Sequence, residues 1–150
     1  MWRSGWVLMP ADDVPLVTDE ANDADVEPWD YPWVGFLDGE GEGTDLNNLW
    51  LLVCGSPAEK PLWGPPFRDG PPGREKIAPV RQAVAEAFAG LPESRVGELA
   101  AAWQQAESAT SSLRWWKPED VAEAIRELKF LAQLHQKLRP GWELLMVWRV

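Results

Sequence analysis

Side chains that build metal centres and covalent catalytic sites are scarce in this sequence. Its 150 residues include one cysteine, Cys54, and one histidine, His135. A single cysteine excludes an internal disulfide and a thiolate cluster, and it is typical of a protein from a reducing compartment. Because Cys54 ends an apolar run, we expect it to be a buried, inert thiol. These absences predict a cytoplasmic protein without a metal ion.

Catalytic motifs and long apolar runs are missing as well. The sequence contains no nucleophile elbow, no phosphate-binding loop and no dinucleotide fingerprint. No stretch approaches the ~18 apolar residues that a membrane span needs, and the first residues do not read as a signal peptide. We therefore expect a protein that is not an enzyme, holds no organic cofactor and does not bind membranes.

Basic residues are almost absent from the first third of the chain. Residues 1–50 hold twelve acidic side chains and one base, Arg3, and the net charge of the whole chain is −10. The charge therefore lies between residues 12 and 45. Such a segment repels the phosphates of nucleic acids, so we expect no nucleic acid partner. Two interpretations stay open: a solvated loop that favours solubility, or a recognition surface for a basic partner.

Short apolar runs alternate with acidic loops in the N-terminal part of the chain. Residues 6–9 are apolar and stop at Pro10, which predicts a strand. Residues 12–45 are acidic and loop-rich. Within them, residues 28–37 carry too many large apolar side chains to remain in solvent, and we expect this piece to lie over the core.

The middle of the chain changes from a helical pattern to a proline-rich one. Apolar side chains in residues 46–53 follow the spacing i, i+3, i+4, i+7, which favours a helix over the alternative of a buried strand at 49–54. Residues 56–79 contain seven prolines and three glycines. They predict an ordered surface loop, irregular over most of its length and fixed to the protein by Trp63 and Phe67.

Three amphipathic helices are predicted in the second half. The first starts at Pro79 and ends at Gly90, and the second covers residues 96–103. The third covers residues 118–138, where proline and two acids occupy the first turn and apolar side chains recur every 100°. His135 lies on the apolar face of this helix, so a structural histidine is a better interpretation than a catalytic base.

The C-terminal residues 144–150 read as a strand with apolar side chains on both faces. Such a strand lies inside a sheet and is covered on both sides. The combined pattern predicts an α+β fold. We expect a single small domain over residues 1–150, in which three to four helices pack on a small sheet that includes this C-terminal strand.

One segment carries a family resemblance. Residues 44–55 read TDLNNLWLLVCG, which resembles the tryptophan-containing helix of the YfbM-like family of bacterial proteins. The order of the later helices and the final strand is similar to that family too, so the resemblance covers about residues 44–150. It implies a small α+β fold. It implies no reaction, because the family has no established activity.

Eleven tryptophans are the most unusual feature of the composition. A few large rings can fill a small core, and Trp50, Trp103 and Trp148 occupy core-facing positions of the predicted elements. The tryptophans in predicted loops are candidates for binding. Interfaces favour such side chains because they bury a large area while few torsions become fixed.

Two hypotheses for function follow. The first is a non-enzymatic protein that neutralises or escorts a basic protein partner, as immunity proteins do. Its contact residues would be Asp19, Glu20, Asp23, Asp25, Glu27, Trp29 and Trp33. The alternative is a small-molecule binding protein with a tryptophan-lined pocket for a flat aromatic ligand. The residues of that pocket would be Trp63, Trp115 and Trp116.

Overall fold

Four antiparallel strands form a sheet in the part of the chain that the structure describes. The computed structural model describes residues 2–18, 26–38, 46–54, 62–65, 67, 75–109 and 111–149. Its strands are β1 (Trp2–Pro10), β2 (Trp33–Asp38), β3 (Glu75–Pro79) and β4 (Trp142–Arg149). Its α-helices are α1 (Val14–Thr18), α2 (Leu46–Cys54), α3 (Gln82–Ala89), α4 (Val96–Ala106) and α5 (Pro118–Leu138). The predicted α+β fold is confirmed.

The C-terminal strand β4 lies in the middle of the sheet. It pairs with β1 on one side and with β3 on the other, and β1 also pairs with β2, so the strand order is β2-β1-β4-β3. Leu144 and Met146 belong to the core beneath the helices, and Leu145 and Val147 belong to an apolar cluster on the opposite face. The prediction of a C-terminal strand with two covered apolar faces is confirmed.

Helices α2 to α5 cover one face of the sheet. The longest helix, α5, packs against α3 and α4 and also contacts β1, β2 and β4. It starts at Pro118, with Glu119 and Asp120 in its first turn, where carboxylates stabilise the helix dipole. The helical interpretation of residues 46–53 is confirmed, since α2 covers them. Among the described helices, none is long and apolar enough to cross a membrane.

The strand β3 lies inside the segment predicted to be an irregular loop. The predicted start of the next helix at Pro79 is wrong. Pro79 ends the strand. After it, the backbone N–H of Val80 donates to the carbonyl oxygen of Leu144 at 3.0 Å, which keeps the chain beside β4. Helix α3 therefore starts at Gln82, and its C-cap is Gly90, as expected.

Gly64 and Phe67 contact the outer edge of β3 through their backbones. The backbone N–H of Phe67 donates to the carbonyl oxygen of Ile77 at 2.8 Å, while the Phe67 side chain is half exposed. Trp63 packs on Trp148 of β4, with ring centroids 5.0 Å apart. Trp63 therefore contacts the sheet through its ring, and Phe67 contacts it through its backbone. An unpaired strand edge is a site of unwanted association, which this segment covers.

A thinner layer, made by α1 and residues 26–31, packs on the other face of the sheet. The hydroxyl group of Tyr31 donates to Oδ2 of Asp13 at 3.0 Å and joins the two parts of this layer. The described part of the acidic residues 12–45 contains helix α1 and strand β2. Residues 28–37 partly cover the sheet, as expected, and partly belong to it.

Candidate functional site

Of the acidic residues predicted to contact a partner, the structure describes Glu27. The other four, Asp19, Glu20, Asp23 and Asp25, lie outside the described residues. Glu27 is exposed and precedes the 3-10 turn Pro28–Asp30. Its backbone N–H donates to Oδ2 of Asp30 at 3.0 Å, and its side chain accepts from the backbone N–H of Asp30, so the two acids hold the local turn.

The two tryptophans predicted for the same surface are in contact. The rings of Trp29 and Trp33 meet edge-on, with centroids 5.1 Å apart and an interplanar angle of 73°. Trp29 is partly buried against the outer apolar cluster. Trp33 is 41% exposed and stands opposite Val7 in the pairing of β1 with β2. The sequence hypothesis therefore names two residues that the fold brings together.

Trp33 also borders an open cleft between β2 and α5. The cleft has a volume of about 650 Å³ and is open to solvent. One wall comes from Pro32 and the start of β2, and the other from α5 together with Glu93 of the turn before α4. The lining residues are Pro32, Trp33, Val34, Glu93, Glu123, Arg126, Glu127, Lys129, Phe130, Leu131 and Gln133. Its volume lies in the range of small-molecule sites, but its five charged side chains and open form distinguish it from the mostly apolar, enclosed pockets that hold such ligands.

The charged side chains of the cleft are arranged around Arg126. Its Nε lies 2.7 Å from Oε1 of Glu93, and a second guanidinium nitrogen lies 3.4 Å from Oε2 of Glu123. The hydrogen bond to Glu93 raises the pKa of Arg126, with smaller contributions from Glu123. Arg126 is therefore held by two carboxylates of the same protein. Glu127, also in the lining, makes no ion pair with the described residues.

Phe130 is the largest apolar side chain on the α5 wall, and the sequence interpretation missed it. It is 64% exposed. At 100° per residue, position 130 falls on the side of the helix opposite the apolar face. A phenylalanine among charged residues on that face was the available signal. The cleft itself could not be found this way, because its two walls are distant in the sequence.

The three tryptophans of the alternative hypothesis come from two segments of the chain. Trp63 forms a bridge with Val80 and packs on Trp148 of the central strand β4. Trp115 ends the 3-10 turn Ser112–Trp115 before α5 and is 83% exposed, and Trp116 is partly buried against the helical core. None of the three lines the cleft described above.

The tryptophans assigned to the core have different degrees of burial. Trp103 is fully buried, and its indole Nε1–H donates to Oε1 of Glu107 at 2.8 Å. Trp50 and Trp148 are partly buried against the helical core. The structural interpretation of these three rings is therefore supported, with Trp103 as the central one.

His135 is buried on α5, as expected for a structural histidine. Burial, together with the charge of Arg139, lowers the pKa of His135, and a hydrogen bond with the backbone of Trp142 opposes this effect. The Nδ1 atom has no hydrogen-bond partner among the described residues. Across the same described ranges, no group of three potential metal ligands is assembled.

The expectation of a buried Cys54 is wrong. Cys54 is exposed at the end of α2, and its Sγ donates to the carbonyl oxygen of Leu51 at 3.5 Å. The apolar run that ends there is helical, so its side chains point in all directions around the axis. Position 54 falls on the outer side, next to Val53, which is buried.

The comparisons with known proteins give no match: no family model, no curated protein and no solved structure is significantly similar to this chain.

Proposed function

We propose that this chain is a non-enzymatic binding protein that neutralises or escorts a basic protein partner, in the manner of an immunity protein. The observation that carries the proposal is the position of Trp33. It is exposed, it contacts Trp29, and it borders the cleft beside α5. Large rings that are partly exposed at such a junction are typical anchors of protein interfaces.

The charge of the chain supports a basic partner. The net charge is −10, and Trp29 and Trp33 lie in the third that supplies it. A field of one sign accelerates the encounter with a partner of the opposite sign, and aromatic anchors then slow its dissociation. The same charge opposes binding to nucleic acids and to anionic membranes.

The proposal is tested by recovering a partner from cells of the native host. The tagged chain is compared with a variant that changes Asp19, Asp23 and Asp25 to Asn, at low and at physiological salt. A control variant changes three exposed acids elsewhere, Glu98, Glu119 and Asp120, to the corresponding amides. We expect one basic protein to be retained by the wild type and the control, and to be lost from the Asp variant and at higher salt. Retention that is insensitive to both changes would contradict the proposal.

The alternative is a small-molecule binding protein. The described residues give it no support, but a separate experiment distinguishes it from the first hypothesis. Trp63 packs on Trp148 of β4, whereas Trp115 and Trp116 lie at the turn before α5. A flat aromatic metabolite that quenches tryptophan emission strongly, in the absence of any protein partner, would favour it. Trp115→Phe and Trp116→Phe variants would then locate the ligand.

A further inference from the structure

We infer that the outer edge of strand β2 pairs with the same edge of a second copy of this chain. The two β2 strands run antiparallel about Gly35, which joins the two four-stranded sheets into one and places the two α5 helices side by side on the same face. A dimer of this kind goes beyond the proposed function and does not depend on it.

The first observation is the direction of the backbone groups of β2. The N–H of Leu8 in β1 donates to the carbonyl oxygen of Pro32 at 2.9 Å. In an antiparallel pair every second residue bonds to the neighbouring strand, so the N–H and C=O groups of Gly35 and Leu37 point away from β1. Within the described part of the chain, these outward groups of Gly35 and Leu37 have no hydrogen-bond partner. The β2 edge is therefore able to bond to another strand.

The second observation is a contrast between the two edges of the sheet. At β3, the N–H of Gly64 donates to the carbonyl oxygen of Pro79 and the N–H of Phe67 donates to that of Ile77, both at 2.8 Å. A described segment thus occupies that edge. At β2, residues 33–37 read WVGFL and lack the lysine, proline or charge that usually protects an open edge. An apolar edge strand of this kind tends to pair with another strand.

The sequence of β2 favours a second copy as the occupant, because it is self-complementary about Gly35. A two-fold axis through Gly35 sets Trp33 of one copy opposite Leu37 of the other. The same axis sets Val34 opposite Phe36. Each apolar residue therefore meets an apolar one, which stabilises a strand pair, and the aspartate that ends β2 stands opposite a proline, so no like charges meet.

Helix α5, which borders this edge, has charges that also complement a second copy. One exposed stripe of the helix has three acids in its first half and a cation near its end; its charged members are Glu119, Glu123, Glu127 and Lys137. The two-fold axis reverses the helix, so the acidic half of one α5 faces the half of the other that carries Lys137. Lys137 makes no ion pair with the described residues. An acid of the second copy can therefore pair with it.

Phe130 lies in the middle of the same stripe and supplies an apolar contact. It is 64% exposed and lines the cleft between β2 and α5. A single exposed ring is ordinary, but the two-fold axis brings the Phe130 of the second copy to the same junction. A strand pair about 20 Å long is a narrow interface, and stable interfaces bury about 1,200 Å² or more in total. The two α5 faces supply the additional area.

The test is the dimer dissociation constant, measured by analytical ultracentrifugation from about 5 μM to about 500 μM. Leu37→Pro removes the outward N–H of residue 37 and leaves the bonds to β1 in place. Leu37→Val is the matched control, because it shortens the side chain and keeps that N–H. We expect Leu37→Pro to raise the dissociation constant at least about tenfold and Leu37→Val to change it less than about threefold.

A second pair of variants tests the helix contact. Phe130→Ser should raise the dissociation constant at least about fivefold. Trp115→Ser should leave it unchanged, since Trp115 is 83% exposed and lies outside the cleft. Because each copy carries a net charge of −10, added salt should strengthen the dimer by screening the repulsion. Binding of the proposed basic partner has the opposite salt dependence, so the two associations are distinguishable.

The register is tested in a dimer of one labelled and one unlabelled copy. An isotope-filtered nuclear Overhauser effect should join Hα of Val34 in one copy to Hα of Phe36 in the other, because these residues form the closely spaced, non-hydrogen-bonded pair. Thermal unfolding checks that every variant is folded. If Leu37→Pro fails to fold, Phe130→Ser and this contact decide.

Four results would overturn the inference. They are a monomer at every concentration, a dimer that folded Leu37→Pro and Phe130→Ser proteins both retain at full strength, and a dimer without the contact between Val34 and Phe36. The fourth is slow hydrogen exchange of the Gly35 and Leu37 amides in a monomer, which would show that another part of the chain already occupies the edge.

Discussion

The indole of Trp29 meets the indole of Trp33 edge-on, with their centroids 5.1 Å apart. Trp29 belongs to the layer that covers the outer face of the sheet, and Trp33 starts the edge strand β2. The contact therefore joins the outer layer to the edge of the sheet, beside the cleft. A surface built in this way is held by two separate parts of the fold, which favours a preformed binding site.

The first prediction concerns the energy of this contact. A double-mutant cycle with Trp29→Ala and Trp33→Ala should give a coupling energy of about 0.5–1.5 kcal/mol, as edge-on aromatic pairs do. Trp29→Ala alone should cost more stability than Trp33→Ala, because Trp29 is the more buried ring. Urea denaturation measures all four proteins. Strict additivity of the two single changes would show that the rings do not stabilise each other.

The second prediction concerns a close approach of two backbones. Gly5 of β1 stands opposite Gly35 of β2, and a Cβ atom at position 5 would collide with the carbonyl oxygen of Val34 and lie 2.6 Å from Cα of Gly35. Gly5→Ala should lower the free energy of unfolding by about 1–3 kcal/mol. Gly97→Ala is the control. A Cβ there, in helix α4, would meet nothing within 4 Å, so this change should stabilise the protein by about 0.4–1 kcal/mol. Equal effects of the two changes would contradict the described packing.

The third prediction is a pH dependence that originates at His135. Its pKa in the folded protein is lowered, chiefly by burial and then by Arg139, relative to the ordinary value of 6.5. As the pH falls below about 6.5, the unfolded chain takes up a proton at this site that the folded chain does not, so the free energy of unfolding decreases. Above that pH the site has no effect. His135→Gln removes the titration, so wild type should lose more stability than the variant between about pH 7.5 and 5.5.

Parallel stability curves for wild type and His135→Gln would show that the pKa of the histidine is the same in the folded and the unfolded chain. The same variant should retain partner binding, because His135 is buried on α5 and does not line the cleft. Loss of binding in a variant that remains folded would contradict a purely structural role of His135.

The fourth prediction follows from the position of β4. Removing the last six residues, 145–150, takes away most of the strand that pairs with both β1 and β3, and with it the buried side chains of Leu145, Met146 and Val147. The sheet would then be divided into two parts. We expect no soluble, cooperatively unfolding protein after expression. A soluble truncated chain with a sharp thermal transition would contradict the central place of β4.

The elements that could be predicted from the sequence are those with a complete local signal. Helices α4 and α5 carry the spacing of apolar residues, and α5 also has its proline and acids at the start. Strand β2 was missed because Gly35 interrupts its pattern and its partner, β1, lies far away in the chain. Pro79 fits the first turn of a helix and the end of an edge strand equally well. The pairing of Pro79 with β4 makes it the end of a strand, and a local sequence pattern does not contain that information.

The residues of the candidate site also differ in how well they could be predicted from the sequence. Trp29 and Trp33 could be named because tryptophans in an acidic, proline-containing segment are unusual in themselves. Phe130 had a weaker signal, a phenylalanine among the charged residues of α5, and Glu127 had none; their place in a cleft beside the start of β2 is a result of tertiary packing.

The most direct test of the central claim is the association rate constant of the chain with a partner recovered from the host, measured at low and at physiological salt. Recognition through an acidic surface predicts a rate that falls by about tenfold or more between the two conditions, and a smaller decrease in the variant with Asp19, Asp23 and Asp25 changed to Asn. An association rate that is the same at both salt concentrations, for wild type and variant alike, would contradict the account.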